Sequence, residues 1–304
     1  MVLSAEGLTK SFGSRVAVSN VSFEIREGEV FGFLGPNGAG KTTTIRMLVG
    51  LARPDRGRVR IRGLDLQSHF ARAMRHVGCI VESPDLYRYL TGRENLLHFA
   101  RMLPAGSAAR IGELARLVAL EGRLDEKVAT YSLGMRQRLG IAQALLGAPD
   151  VLILDEPANG LDPAGIREIR LLVRRLASER GISVFVSSHL LAEVEQTCDR
   201  VMIIHRGQML AAAPVSELRG RENGGALRFT VRPAERALEI LALFSAAGRL
   251  EQEGPETIVA AIPKARVPAA VAALADAGLE VFAVERQASS LEEAFLEVTG
   301  GETV

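Results

Sequence analysis

Apolar and polar positions alternate near the start of the chain, where Val16, Val18, Val21, Phe23 and Ile25 recur ahead of a turn at Glu27-Gly28. A two-residue period is that of half-buried strands, and it predicts an antiparallel layer over residues 3–32. Val30-Phe31-Gly32-Phe33-Leu34 is a short, nearly continuous apolar run, read as a buried strand leading into a Gly-rich loop. After that loop Ile45, Leu48 and Val49 return at helical spacing, which predicts a helix over residues 42–51. The pattern is mostly helical across residues 92–147, and strand-length apolar runs return at residues 151–154, 183–187 and 201–205. A helical insert is thereby set apart from an α/β core.

A charged, Gly-rich stretch at residues 219–225 reads as a linker, and the pattern changes beyond it. Strands are predicted at residues 227–231, 249–253, 257–262 and 280–286, with helices at 234–247 and 267–277. The order β-α-β-β-α-β is that of a small ferredoxin-like α+β sandwich, followed by a terminal helix at 291–298. The expected division is a domain over residues 1–220 and a C-terminal accessory domain over residues 221–304.

Composition narrows the function classes. A chain of 304 residues with 47% hydrophobic content can fill a large core and a small one, in keeping with two domains. Its 37 basic and 36 acidic residues leave +1, so no chain-wide field draws it to nucleic acid or an anionic membrane surface. Cys79 and Cys198 lie far apart and in no metal-ligand spacing; they read as ordinary buried thiols in a reducing cytosol. Residues 1–7 lack the basic region and apolar stretch of a secretion signal, which gives a cytoplasmic expectation. The longest apolar runs fall well short of the roughly 20 residues that span a bilayer, so a membrane role requires another polypeptide.

The chemistry begins at Gly35-Pro36-Asn37-Gly38-Ala39-Gly40-Lys41-Thr42, set between strand and helix. Glycines there let backbone N–H groups converge on phosphate oxygens, and the helix beginning near Thr42 adds its positive end. Lys41 is expected to bridge the outer phosphates, Thr42 to ligate Mg²⁺ through its hydroxyl, and Thr43 to donate to an inner phosphate. Asp155 ends an apolar strand, so its carboxylate emerges at the sheet edge beside the loop, where it can hold Mg²⁺ or its water. Glu156, one residue on, is placed to polarise the attacking water as general base. His189 follows another buried strand and surfaces at the same edge, where it either senses the γ-phosphate or serves the structure. His69, His76, His98 and His205 have no such placement.

Between the loop and Asp155 lies Ser132-Leu133-Gly134-Met135-Arg136-Gln137. Together with Asp155-Glu156-Pro157, Asn159-Gly160-Leu161-Asp162 and His189, it resembles an ABC-transporter ATPase subunit over residues 3–218. The resemblance implies a P-loop NTPase core of α/β class with an antiparallel β subdomain and a helical subdomain, and ATP and Mg²⁺ as cofactors. It also implies that Ser132 and Gly134 of one subunit contact the γ-phosphate held by another, with Asp162 at the same dimer interface. A helix starting near Ser132 suits that contact, since its free N–H groups face the anion. The family pattern is Leu-Ser-Gly-Gly-Gln; this chain departs from it at Tyr131, Leu133 and Met135. Phe12 stands where the family stacks an aromatic ring on adenine, and a core phenylalanine is the other reading.

Residues 77–84 match the family's Q-loop with Glu82 in place of Gln, which puts an anion near Mg²⁺; a drifted loop without substrate meaning is the alternative. Glu82, with Tyr87, Leu90-Thr91-Gly92 and Glu94-Asn95-Leu96, is similar to the bacterial exporter ATPases of bacitracin and lantibiotic self-protection. The implied protein is a motor subunit that pairs with a second ATP-binding subunit and drives a separate integral-membrane permease. It would sit at the cytoplasmic face of the membrane and export a drug, peptide antibiotic or other small amphipathic molecule, with no nucleic-acid partner. The alternative is a soluble ATPase acting on DNA or the ribosome. Against it stand the single cassette, the near-neutral charge, and the absence of heptads or a Cys cluster between Lys41 and Asp155.

Overall fold

The computed structural model describes residues 1–219, 226–245 and 250–286. Among them the chain divides after Pro214 into two compact units.

The first unit opens with the hairpin β1 (Leu3–Phe12) and β2 (Arg15–Ile25), followed by β3 (Val30–Leu34), α1 (Lys41–Leu48), β4 (Arg56–Ile61) and β5 (Leu64–Asp65). Next come α2 (Phe70–Ala73), β6 (Val77–Ile80), α3 (Gly92–Ala100), α4 (Ile111–Leu117) and α5 (Leu133–Leu145). The unit closes with β7 (Val151–Asp155), α6 (Pro163–Arg180), β8 (Ser183–Ser188), α7 (Leu191–Thr197), β9 (Arg200–His205) and β10 (Gln208–Pro214).

Two sheets result. One has the order β2-β1-β4-β5 and is antiparallel throughout. The other has the order β10-β9-β3-β8-β7-β6 and is parallel except for β10 on β9. Every residue of β3, β7 and β8 is buried, as strands covered on both faces must be, and this explains their unbroken apolar runs. Aromatic rings join the sheets: Phe23 of β2 stacks on Phe31 of β3 at 5.5 Å and on Phe185 of β8 at 5.9 Å.

Four strands were not legible in the periodicity, the two-residue β5 among them. β4 carries Arg56, Arg58 and Arg60 alongside only two buried residues, Val59 and Ile61, and Arg58 and Arg60 are held by Glu6 across the sheet. β6 is short and packs hard against α5, for a Cβ on Gly78 would lie 2.3 Å from the Ala144 carbonyl oxygen. β10 is an alanine-rich strand at the edge of its sheet, paired among the described strands with β9 alone. α1 also differs from its expected span: it ends at Leu48 because Gly50 turns left-handed (φ +75°) beneath the Phe70 ring.

The helices of the insert are anchored by their caps. Thr91 and Glu94 form a reciprocal capping box on α3, and Ser132 accepts from the Met135 N–H at the start of α5. Asp162 does the same for α6, with Pro163 at the first helical position.

The second unit contains α8 (Val215–Arg219), β11 (Ala226–Arg232), α9 (Ala234–Ala242), β12 (Leu250–Gln252), β13 (Thr257–Ala261), α10 (Val267–Asp276) and β14 (Glu280–Arg286). Its antiparallel sheet runs β12-β13-β11-β14, the split βαβ arrangement of a ferredoxin-like sandwich. Phe229, Val231 and Ile258 of the sheet pack with Leu241 and Leu274 of the helices. α9 stops at Ala242, short of the expected 247. The linker residues 220–225 and the terminal helix expected at 291–298 lie outside the described residues.

Candidate functional site

β3 delivers the chain to the loop, where Gly35 N–H donates to the Ser188 carbonyl at 3.4 Å. The glycines are sterically required. A Cβ on Gly35 would lie 2.3 Å from the Ile204 carbonyl oxygen, and one on Gly40 (φ +109°) 2.6 Å from that of Ala17. Lys41, the first residue of α1, is only 6% exposed. A buried ammonium needs its donors used. Its Nζ donates to the Gly35 carbonyl at 2.6 Å and the Pro36 carbonyl at 3.2 Å, and lies 3.1 Å from Glu156 Oε1.

Asp155 ends β7 level with Ser187 on β8 and is 2% exposed. The Ser187 hydroxyl donates to Asp155 Oδ1 at 2.6 Å and accepts from the Glu156 N–H at 2.9 Å. One hydroxyl thus fixes both acidic residues. Glu156 sits at φ +49°, a left-handed conformation that a non-glycine residue adopts only at a cost. That turn sets its carboxylate between Lys41 and His189, whose Nδ1 is 2.6 Å from Oε2. Behind His189, the Ser188 hydroxyl donates to Glu193 Oε2 at 3.1 Å, and burial pushes the Glu193 carboxyl above the usual carboxylate range. Ser187, Ser188 and Glu193 were not singled out in the sequence; the available signal was a pair of serines ending an apolar strand just before His189.

Beside the loop lies a cavity of about 370 Å³ lined in part by Phe12, Arg15, Gly38, Lys41, Thr42 and Glu156. Asn37, Gly40 and Thr43 line it as well. Phe12 is 55% exposed there, so it is not a core residue. Lys10 Nζ stands 5.6 Å from its ring centroid.

The remaining expected residues lie elsewhere. Ser132, Gly134 and Asp162 do not line this cavity. The turn bearing Ser132 and Gly134 instead packs on Gly160-Leu161, with a Cβ on Gly134 lying 3.7 Å from Leu161 Cδ2. Gln137 is buried inside α5. Glu82, at φ +66°, pairs with Arg46 of α1, and both side chains are exposed. Cys198 is buried and Cys79 half-buried, and burial pushes both thiols up, away from reactive thiolates.

The arrangement fits a nucleoside triphosphate. Glycines that leave no room for a side chain cradle the phosphates, a helix begins at the loop, and an exposed ring faces the open cavity. Among the described residues no cluster of three or more His, Cys, Asp or Glu could hold a metal. Mg²⁺ does not need one, since it takes one or two carboxylates and completes its shell with phosphate and water oxygens; Thr42 and Asp155 suit that donor set.

The ABC transporter family model matches residues 18–159. The ABC transporter ATP-binding protein YhcH of Bacillus subtilis (strain 168) is 47% identical over 301 residues, covering 98% of this chain and 96% of its own. The bacitracin transport ATP-binding protein BcrA of Bacillus licheniformis is 39% identical over 303 residues, covering 100% of this chain and 99% of its own. A solved dimer of the ATP-binding cassette MJ0796, in a post-hydrolysis state bound to ADP and Pi, is similar at TM-score 0.62 and 26% identity, covering 70% of this chain and 98% of that one. The cavity, the Glu156 carboxylate at its rim and a likeness that runs the length of the chain lead to one assignment: the protein belongs to the ABC transporter family, as an ATP-binding and ATP-hydrolysing subunit.

Proposed function

We propose that two copies of this chain close on two Mg·ATP molecules and reopen after hydrolysis, and that this cycle drives a separate integral-membrane permease in the export of a small amphipathic molecule such as a peptide antibiotic. The observation that carries the catalytic part is the Glu156 carboxylate, held between Lys41 and His189 at the rim of the nucleotide cavity. In the proposed assignment, backbone N–H groups of residues 35–42 hold the phosphates while Lys41 neutralises the outer ones. Phe12 stacks on the base. Thr42 and Asp155 hold Mg²⁺, which supplies charge neutralisation to the phosphoryl group, and Ser187 keeps Asp155 aimed. Glu156 accepts a proton from the attacking water, and His189 orients that carboxylate. Glu82 would reach the metal region only on leaving Arg46.

Ser132, Gly134 and Asp162 are assigned to the nucleotide of the opposite copy, because in their own chain they do not line the cavity. Closure is then driven by differential affinity: the closed dimer gains contacts with the terminal phosphate that the product state lacks. The permease is expected to dock in the groove of about 740 Å³ lined by Met74, Cys79, Phe99, Met102 and Leu103, which joins the helical insert to the core. This would hold the chain at the cytoplasmic face of the membrane. No helix among the described residues is long and apolar enough to cross it. Likeness to BcrA along the whole chain supports an exported antibiotic as cargo, and nothing in the site favours a DNA or ribosome substrate.

Glu156→Gln tests the catalytic assignment. ATP binding should persist while turnover falls by at least a hundredfold, the usual worth of a general base, and a dimer should accumulate on size exclusion with ATP. Turnover at the parental rate would refute the assignment.

A further inference from the structure

We infer that Arg15 is a second cationic group for the nucleotide, gripping its phosphate chain from the hairpin side of the cavity; this rests on the ATP-binding reading of that cavity. Phe12 and Arg15 are paired across the end of the β1–β2 hairpin, with only Gly13 (φ +59°) and Ser14 between them. The same tight turn therefore positions both the ring and the guanidinium. Both line the cavity, and Arg15 Nη2 lies 3.9 Å from where a Cβ on Gly38 would stand, within touching distance of the phosphate loop.

Charge decides what Arg15 is for. Lys41 is balanced by Glu156 at 3.1 Å, and Lys10 by Asp55 at 2.9 Å. Among the residues that line the cavity, Arg15 is then the unbalanced charge, and its exposed guanidinium has no hydrogen-bond or ion-pair partner among the described residues. An exposed guanidinium costs little to leave free, and its planar fork of N–H donors matches phosphate oxygens. Placed beside the loop that cradles phosphates, it adds attraction for a polyanion without adding anything for the base, which the Phe12 ring serves.

The test uses the full chain without Mg²⁺, so that no hydrolysis intervenes, and follows displacement of trinitrophenyl-ATP by ATP, by ADP and by inorganic tripolyphosphate. Arg15→Gln should weaken ATP and tripolyphosphate by about tenfold or more, the usual worth of a charged hydrogen bond. Arg15→Lys should recover part of the loss. The difference between the wild-type chain and Arg15→Gln should shrink as salt is raised. Unchanged melting temperature identifies the effect as binding, since Arg15 lies on an exposed turn. Equal ATP affinity in wild type and Arg15→Gln overturns the inference. So does a loss confined to ATP with tripolyphosphate unaffected, which would assign Arg15 to the base or sugar. Failure of the wild-type chain to bind ATP at all would instead sink the reading of the cavity.

Discussion

At the scale of single residues the site is held by groups that were far apart in sequence. The Ser187 hydroxyl joins Asp155 to the Glu156 backbone, and His189 closes on the same glutamate from the end of β8. Ser187→Ala should therefore cost about 1–3 kcal/mol of stability, because it strips a buried carboxylate and a backbone N–H of their partner. It should also lower turnover more than ATP affinity. Urea denaturation and steady-state kinetics check the two effects, and a variant with parental stability and turnover would remove Ser187 from the site. Lys41, Asp155 and Glu156 were legible because their motif is local: a loop and a strand end fix them within a few residues. Arg15 and Ser187 were not, since each acquires meaning only from a neighbour on another strand or loop. Phe12 was readable in two ways, and its exposure excludes the core reading.

At the scale of elements, periodicity found those strands whose apolar pattern was pure and missed those carrying their own polar load. β3, β7 and β8 are buried on both faces and read as apolar runs. β4 was hidden by its three arginines, which Glu6 and solvent satisfy, and β6 by its shortness and by Gly78. That glycine is a clear point of test. Gly78→Ala places a methyl group against the Ala144 carbonyl oxygen at 2.3 Å, so β6 and α5 must move apart. The expected loss is about 1–3 kcal/mol, typical of overpacking. Chemical denaturation measures it, and a neutral result would mean that the α5 contact yields freely. The helix caps Ser132 and Asp162 show the opposite economy, since residues singled out for chemistry also terminate α5 and α6.

At the scale of the molecule, a near-neutral chain with no membrane-spanning helix among its described residues belongs to a transporter family and is expected to work through another polypeptide. Pull-down of the tagged chain from detergent-solubilised native membranes should recover a polytopic permease. Introducing a negative charge at an exposed groove position, Met102→Glu, should reduce that recovery while leaving the ATP affinity of the isolated chain unchanged. Recovery of ribosomes or DNA in place of a permease would overturn the transport reading. Sequence alone determined the phosphate loop, the strand before it and the helix after it, and the β-α-β-β-α-β order of the second unit, because backbone requirements and apolar periodicity are written in neighbouring residues. Tertiary structure alone decided that Glu156 lies between Lys41 and His189, that Glu82 pairs with Arg46, and that Arg15 faces the cavity unpaired, because distances between side chains on different strands arise only when the sheets assemble.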